Sequence, residues 1–167
     1  MTTFVIADCH FGHRGMVTFL REDGTKQRPY DTVADMNEDM IEKWNSVVSP
    51  KDTVLVLGDF VINRSALPIA DRLNGTKELI MGNHDTMRAE EYLKYFKKLH
   101  GSKGYNDYVL THIPLHPNSV CERYKGNIHG HLHHHSVPDG EGLYYCVSAE
   151  RVGYMPINID EVINTLK

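Results

Sequence analysis

The chain has little from which to build disulfides, a membrane span or a polyanion-binding surface. Its three cysteines, Cys9, Cys121 and Cys146, have no paired spacing, and no charged, apolar leader is present, so a reducing, cytoplasmic setting is expected. No apolar run approaches the roughly 18 residues of a spanning helix, so no membrane partner is expected. Lys and Arg total 18 against 22 Asp and Glu, which removes the general positive field that duplex nucleic acid requires. Arg123, Tyr124 and Lys125 are the one hint of a local basic patch. Low-complexity tracts and internal repeats are also missing. At 167 residues, a single domain over 1–167 can bury roughly 70% of its unfolded surface and needs no staples.

Histidine is what the chain has in excess, with 11 residues that gather beside Gly, Asp and Asn. Such surroundings suggest ligand-bearing loops. A β-branched, apolar run from Thr3 to Ala7 stops at Asp8-Cys9-His10-Phe11-Gly12-His13. The same arrangement returns at Thr53 to Leu57 before Gly58-Asp59, and at Glu78 to Met81 before Gly82-Asn83-His84-Asp85. Helices are expected between these strands. One follows an Asp31-Thr32 cap and places Val33, Met36, Met40, Ile41, Trp44, Val47 and Val48 at helical spacing. A second covers about 65–73 before Asn74-Gly75, and a third about 88–99 with Ala89, Tyr92, Leu93, Phe96 and Leu99 on one face. This alternation predicts an α/β fold with parallel strands whose carboxyl ends collect ligands. Shorter strands at about 108–111, 126–130, 143–148 and 156–159, then a helix from Asp160, suggest a second, mixed sheet.

The strand-end residues Asp8, His10, Asp59, Asn83, His112, His131 and His133 make a mixed oxygen and nitrogen donor set. Such donors suit borderline divalent ions such as Mn, Fe, Ni or Zn. Seven ligands exceed one tetrahedral site, and a carboxylate can bridge two ions about 3.5–4 Å apart, with Asp59 the candidate bridge. Hydroxide held by such a pair is a sufficient nucleophile, so no serine or cysteine nucleophile is required. Cys9, between two ligands on an extended segment, is expected to point away and pack as a small hydrophobe. His100, His116 and His129 lack a partner pattern and stay unassigned, and His134 and His135 are expected either to belong to a solvated run that scavenges metal nonspecifically or to stand at the rim of the site.

Together, Asp8-x-His10, Gly58-Asp59, Gly82-Asn83-His84-Asp85, Thr111-His112 and Gly130-His131-x-His133 resemble the five ordered blocks of the calcineurin-like metallophosphoesterases, over residues 4–133. The resemblance implies a four-layer αββα sandwich with two mixed sheets. It implies one metal held by Asp8, His10, Asp59 and His133 and another by Asp59, Asn83, His112 and His131. It also implies that His84 stabilises or protonates the departing oxygen while Asp85 orients its imidazole. Where family members carry Gly-Asp-x-x-Asp-Arg, Ile62 stands at the aspartate's place and Arg64 is offset by one residue, so Arg64, Arg14 and His13 are candidate phosphate contacts. The expected activity is two-metal hydrolysis of a small phosphodiester or nucleotide, with diester preferred because the chain is short and lacks a capping domain. Specificity would lie in loops 13–30, 61–66 and 113–127. Alternatives are a phosphomonoesterase, a nuclease, and a non-catalytic metal-binding scaffold, against which His84 and Asp85 weigh.

Overall fold

Apolar strands separated by helical segments fold here into two mixed sheets flanked by helices, seen in a computed structural model that describes residues 1–120, 123–138, 140 and 142–166. Strands β1 (Thr3–Ile6), β2 (Thr53–Val56), β3 (Thr76–Ile80) and β4 (Lys98–His100) run parallel. Strands β5 (Lys103–Tyr105), β6 (Tyr108–Leu110), β7 (Gly126–His129) and β8 (Tyr144–Cys146) form the second sheet, with β5 antiparallel to β6 and the rest parallel. Strand β9 (Ile157–Asn158) returns to the first sheet antiparallel to β1, giving the order β4-β3-β2-β1-β9. A bridge from Ala7 to Ser148 ties the two sheets together just beyond β1 and β8. Val54, Leu55 and Val56 are all buried, as a parallel strand covered on both faces requires.

A short helix α1 (Gly15–Thr18) precedes the long helix α2 (Val33–Val47). The Thr32 hydroxyl caps α2 by accepting the Asp35 N–H at 3.1 Å, and Met36, Met40, Ile41 and Trp44 fill the core at the expected spacing. Helix α5 (Ile159–Thr165) packs against β1 and β9. No helix among the described residues is long and apolar enough to cross a membrane.

Two expected helices differ. Residues 64–72 form a 3-10 helix with Pro68 inside it; lacking an N–H, proline cannot continue an α-helical ladder. The helix expected over 88–99 shrinks to α3 (Ala89–Tyr92), and the chain then extends as β4 along the free edge of β3. The Lys97 N–H donates to the Lys77 carbonyl at 2.8 Å, so ladder bonds to β3 win over the local helical spacing. Of the expected apolar face, Tyr92 and Phe96 are buried, whereas Leu93 is 52% exposed. The fourth short helix, α4 (Pro117–Val120), lies in the expected specificity loop. Cys9 and Cys146 are buried free thiols, with Cys9 pushed well above the ordinary thiol range by burial, while Cys121 lies outside the described residues.

Candidate metal centre

The strands stop where backbone conformation changes hand. Asp8 (φ 56°), His10 (φ 48°), Asp59 (φ 53°), His131 (φ 70°) and His133 (φ 51°) all sit in the left-handed region. Each such non-glycine residue costs on the order of 1 kcal/mol or more, and such strain concentrates at functional sites. Neighbouring loops hold it in place. The Asp8 N–H donates to the Gly58 carbonyl and the His10 N–H to the Asp59 carbonyl, both at 3.0 Å. Glycine clears the space between ligands: a Cβ on Gly82 would stand 2.2 Å from Asp59 Oδ1, and one on Gly58 2.4 Å from His112 Nδ1.

Asp8, His10 and His133 form one cluster, their donor atoms within 4.8 Å of one another. Asp8 Oδ2 accepts the Ser148 hydroxyl at 2.6 Å and the His131 N–H at 2.8 Å. Its other oxygen, Oδ1, is buried with no hydrogen-bond partner among the described residues and lies 4.0 Å from His10 Nε2. Burial pushes the Asp8 carboxyl up despite the opposing pull of His133 and Ser148, the behaviour of a buried carboxylate short of positive charge. Burial also holds His10 neutral, down at about 3, as a ligating imidazole must be. His133 turns Nδ1 to Glu150 Oε1 at 3.1 Å, which leaves Nε2 for a ligand.

Asp59, His112 and His131 form the second cluster within the same 4.8 Å limit. The His84 N–H holds Asp59 Oδ1 at 2.9 Å. Asp59 Oδ2 stands 3.7 Å from His10 Nε2 and 3.4 Å from His112 Nε2, so one oxygen faces both clusters. Burial opposes its ionisation, but the hydrogen bond and charge of His112, the His84 N–H and His10 hold Asp59 at about 2. His112 Nδ1 is 2.8 Å from the Leu57 carbonyl, to which it donates, and its Nε2 faces Asn83 Oδ1 at 2.9 Å and His131 Nδ1 at 3.3 Å. An amide, a carboxylate and two imidazoles therefore converge on one point, a donor set that suits a cation. Burial disfavours the His112 cation, yet Asp59 and Asp8 raise its pKa, a proton serving where a metal ion fits.

The remaining expected residues divide. His84 is exposed, with its ring 5.6 Å from that of His10, and it lines a cleft of about 650 Å³ together with His10, His131 and His133. Asp85 does not take the expected part. Its carboxylate accepts the N–H groups of Asp59 at 2.7 Å, Gly82 at 2.8 Å and Phe60 at 3.2 Å, so it pins the two ligand loops to each other rather than steering the His84 ring. His13 joins the cleft wall. Arg64 is 73% exposed and pairs with Glu91 at 2.7 Å in a separate depression, and Arg14 is exposed at the start of α1 outside the cleft wall, so neither guanidinium joins the clusters. His100 bonds Glu78 at 2.8 Å, His129 is buried against the Gly130 carbonyl, and His134 and His135 line the cleft. A second groove of about 410 Å³ opens on Asn83 and His112, flanked by Gly82, Ser102 and Ile113.

Arg28 and Glu150 escaped the sequence reading. Arg28 is fully buried; it donates Nε to Glu150 Oε1 at 2.8 Å, Nη1 to the Cys9 carbonyl at 2.7 Å and Nη2 to the Asp8 carbonyl at 2.5 Å. Glu150, held down at about 2 by His133 and Arg28 against the effect of burial, joins Arg28 to His133. One signal was present: Glu150 follows a strand end just as the recognised motifs do. Arg28 sits in a loop without motif or periodicity.

These clusters lie on a chain whose residues 1–151 match the sequence model of calcineurin-like phosphoesterases, and the chain belongs to that family, whose fold and ligand groups mark a metal-dependent phosphoesterase. It is similar to the uncharacterized protein MJ1445 of Methanocaldococcus jannaschii, with 29% identity over 178 residues that take in 98% of this chain and 90% of that protein. The crystal structure of AQ665, a protein of unknown function from Aquifex aeolicus, superposes with a TM-score of 0.70 and covers 98% of each chain at 23% identity, which bears on the fold alone.

Proposed function

We propose that the chain hydrolyses small phosphodiesters with two divalent metal ions. The observation that carries the reading is Asp59 Oδ2, which faces His10 of one ligand cluster and His112 of the other, beside a cleft lined by His10, His131 and His133 and a groove lined by Asn83 and His112. A diester places two substituents on phosphorus, and the cleft and the groove would each take one. Two bound ions would supply Lewis acidity at the phosphoryl oxygens and a nucleophile from water at neutral pH. Asp8, His10 and His133 would hold one ion and Asn83, His112 and His131 the other, with Asp59 between them.

The rest of the work belongs to side chains. His84 shares the larger cleft with the first cluster and is free to deliver a proton to the oxygen that leaves phosphorus. Its own N–H meanwhile keeps Asp59 Oδ1 occupied, so Oδ2 faces the clusters. Asp85 fixes the backbone of both loops. A nuclease gains little support, because Lys125 pairs with Asp107 at 2.7 Å and Arg123 lies over Tyr124.

Metal-stripped protein should regain hydrolysis of bis-p-nitrophenyl phosphate when Mn, Ni, Zn, Fe or Mg is restored, and should act more slowly on p-nitrophenyl phosphate. Faster monoester cleavage would make the chain a phosphatase. No turnover with both sites filled would remove the enzymatic reading.

A further inference from the structure

The larger cleft is furnished beyond what attack at phosphorus needs. Its volume of about 650 Å³ falls within the roughly 300–1,000 Å³ of small-molecule sites. Apart from the histidines of the metal centre, its wall contains Met16, Phe19, Leu20 and Ile62. Phe19 and Leu20 stay 55% and 65% exposed, a contiguous apolar surface beside a reactive centre. The Phe19 ring has neighbours that bound it on one side. It lies over Gly15, where a Cβ would come within 2.5 Å, and meets His13 edge-on with centroids 5.9 Å apart.

Charge narrows the occupant. No Lys, Arg, Asp or Glu lines the cleft among the described residues, so away from the metal centre a second phosphate or an acidic chain would meet imidazoles alone and no fixed counter-charge. Gln27 is buried in the wall with its Nε2 3.5 Å from His134 Nδ1, and its amide offers both a donor and an acceptor. A flat ring with polar edges satisfies both the aromatic wall and the amide.

Building on the phosphoesterase reading, we propose that this cleft is the subsite for an uncharged, planar aromatic substituent on the scissile phosphate, stacked on Phe19 and bounded by Leu20. A nucleobase and a simple aryl group share that chemistry.

The test is binding rather than turnover. 2-Aminopurine riboside, an uncharged nucleoside whose fluorescence falls on stacking, is titrated into the metal-loaded full chain. Saturable quenching is expected, with affinity about ten-fold weaker in Phe19→Ala, which loses a stacking partner, and about ten-fold weaker in Leu20→Ala, which loses apolar contact area. Both side chains are exposed, and matched circular dichroism checks that both variants fold. Displacement of the probe by adenosine but not phenol identifies a nucleobase, and equal displacement by both identifies a general aryl site. Absent quenching, or quenching equal in wild type and both variants, overturns the proposal. Quenching without hydrolysis of any ester would leave the subsite standing and sink the phosphoesterase reading; hydrolysis without quenching does the reverse.

Discussion

Replacing Glu150 by Gln would test whether a buried ion pair controls one metal site and spares the other. The side chain keeps its shape and an acceptor oxygen but loses the charge that Arg28 and His133 both face. Both members are buried, with side-chain exposure of 0% and 1%, and breaking such a pair by removing one charge costs about 3–5 kcal/mol. For a chain of this length, each kcal/mol corresponds to roughly 2–4 °C, so a loss of about 3 kcal/mol lowers Tm by about 6–12 °C. Metal affinity should respond at His133 alone. Loss of a carboxylate behind a ligating histidine weakens binding about 10- to 100-fold, and the Glu150 carboxylate bonds Arg28 and His133 rather than the Asp59, His112, His131 cluster. Competitive titration with a chromophoric chelator should therefore resolve one weakened ion and one unchanged. Equal weakening of both ions, or of neither, would refute the reasoning, as would a Tm within 1 °C of wild type in both the apo and loaded forms.

Three further outcomes follow from the geometry. His84→Ala should retain both ions and lower turnover about 100-fold or more, measured by metal analysis beside steady-state kinetics; lost metal would make His84 a ligand. Asp59→Asn should weaken both ions together, because one oxygen serves both clusters, and a calorimetric titration that shows a single affected ion would displace the bridge. Away from the site, Asp52 accepts the N–H groups of Thr2 and Ser49 and the Ser49 hydroxyl, which hold its carboxyl at about 2. Its folded pKa lies below the unfolded value of about 3.9, so its contribution is complete above that pH and fades as pH falls toward 2. The wild-type Tm should accordingly exceed that of Asp52→Ala at pH 6 and converge on it near pH 2; a constant gap across that range would contradict the assignment.

The candidate ligands could be read from the chain because they are polar residues within a few positions of the end of an apolar run, and the loops that follow parallel strands must converge at one end of the sheet. Asp8, Asp59 and His131 were visible for that reason. Arg28 was not, because its role depends on a fold-long contact with Glu150, 122 residues away, and no local pattern encodes that distance. Asp85 was visible but its partner was not, since neighbouring side chains in sequence invite pairing whereas the carboxylate met the backbone of Asp59, 26 residues away. The strand β4 was hidden for a related reason: its extended form depends on the open edge of β3 and not on its own residues.

The bridge from Ala7 to Ser148 places the metal centre on a seam. Asp8, His10, Asp59 and Asn83 arrive from loops of the first sheet, and His112, His131 and His133 from loops of the second. Ions held there would fasten the two sheets like rivets through two plates. At free metal 1,000 times a site's Kd, each ion would add about 4 kcal/mol to the cohesion of the whole chain, comparable with much of a small protein's stability. Metal supply would then govern how long the protein survives as well as how fast it turns over.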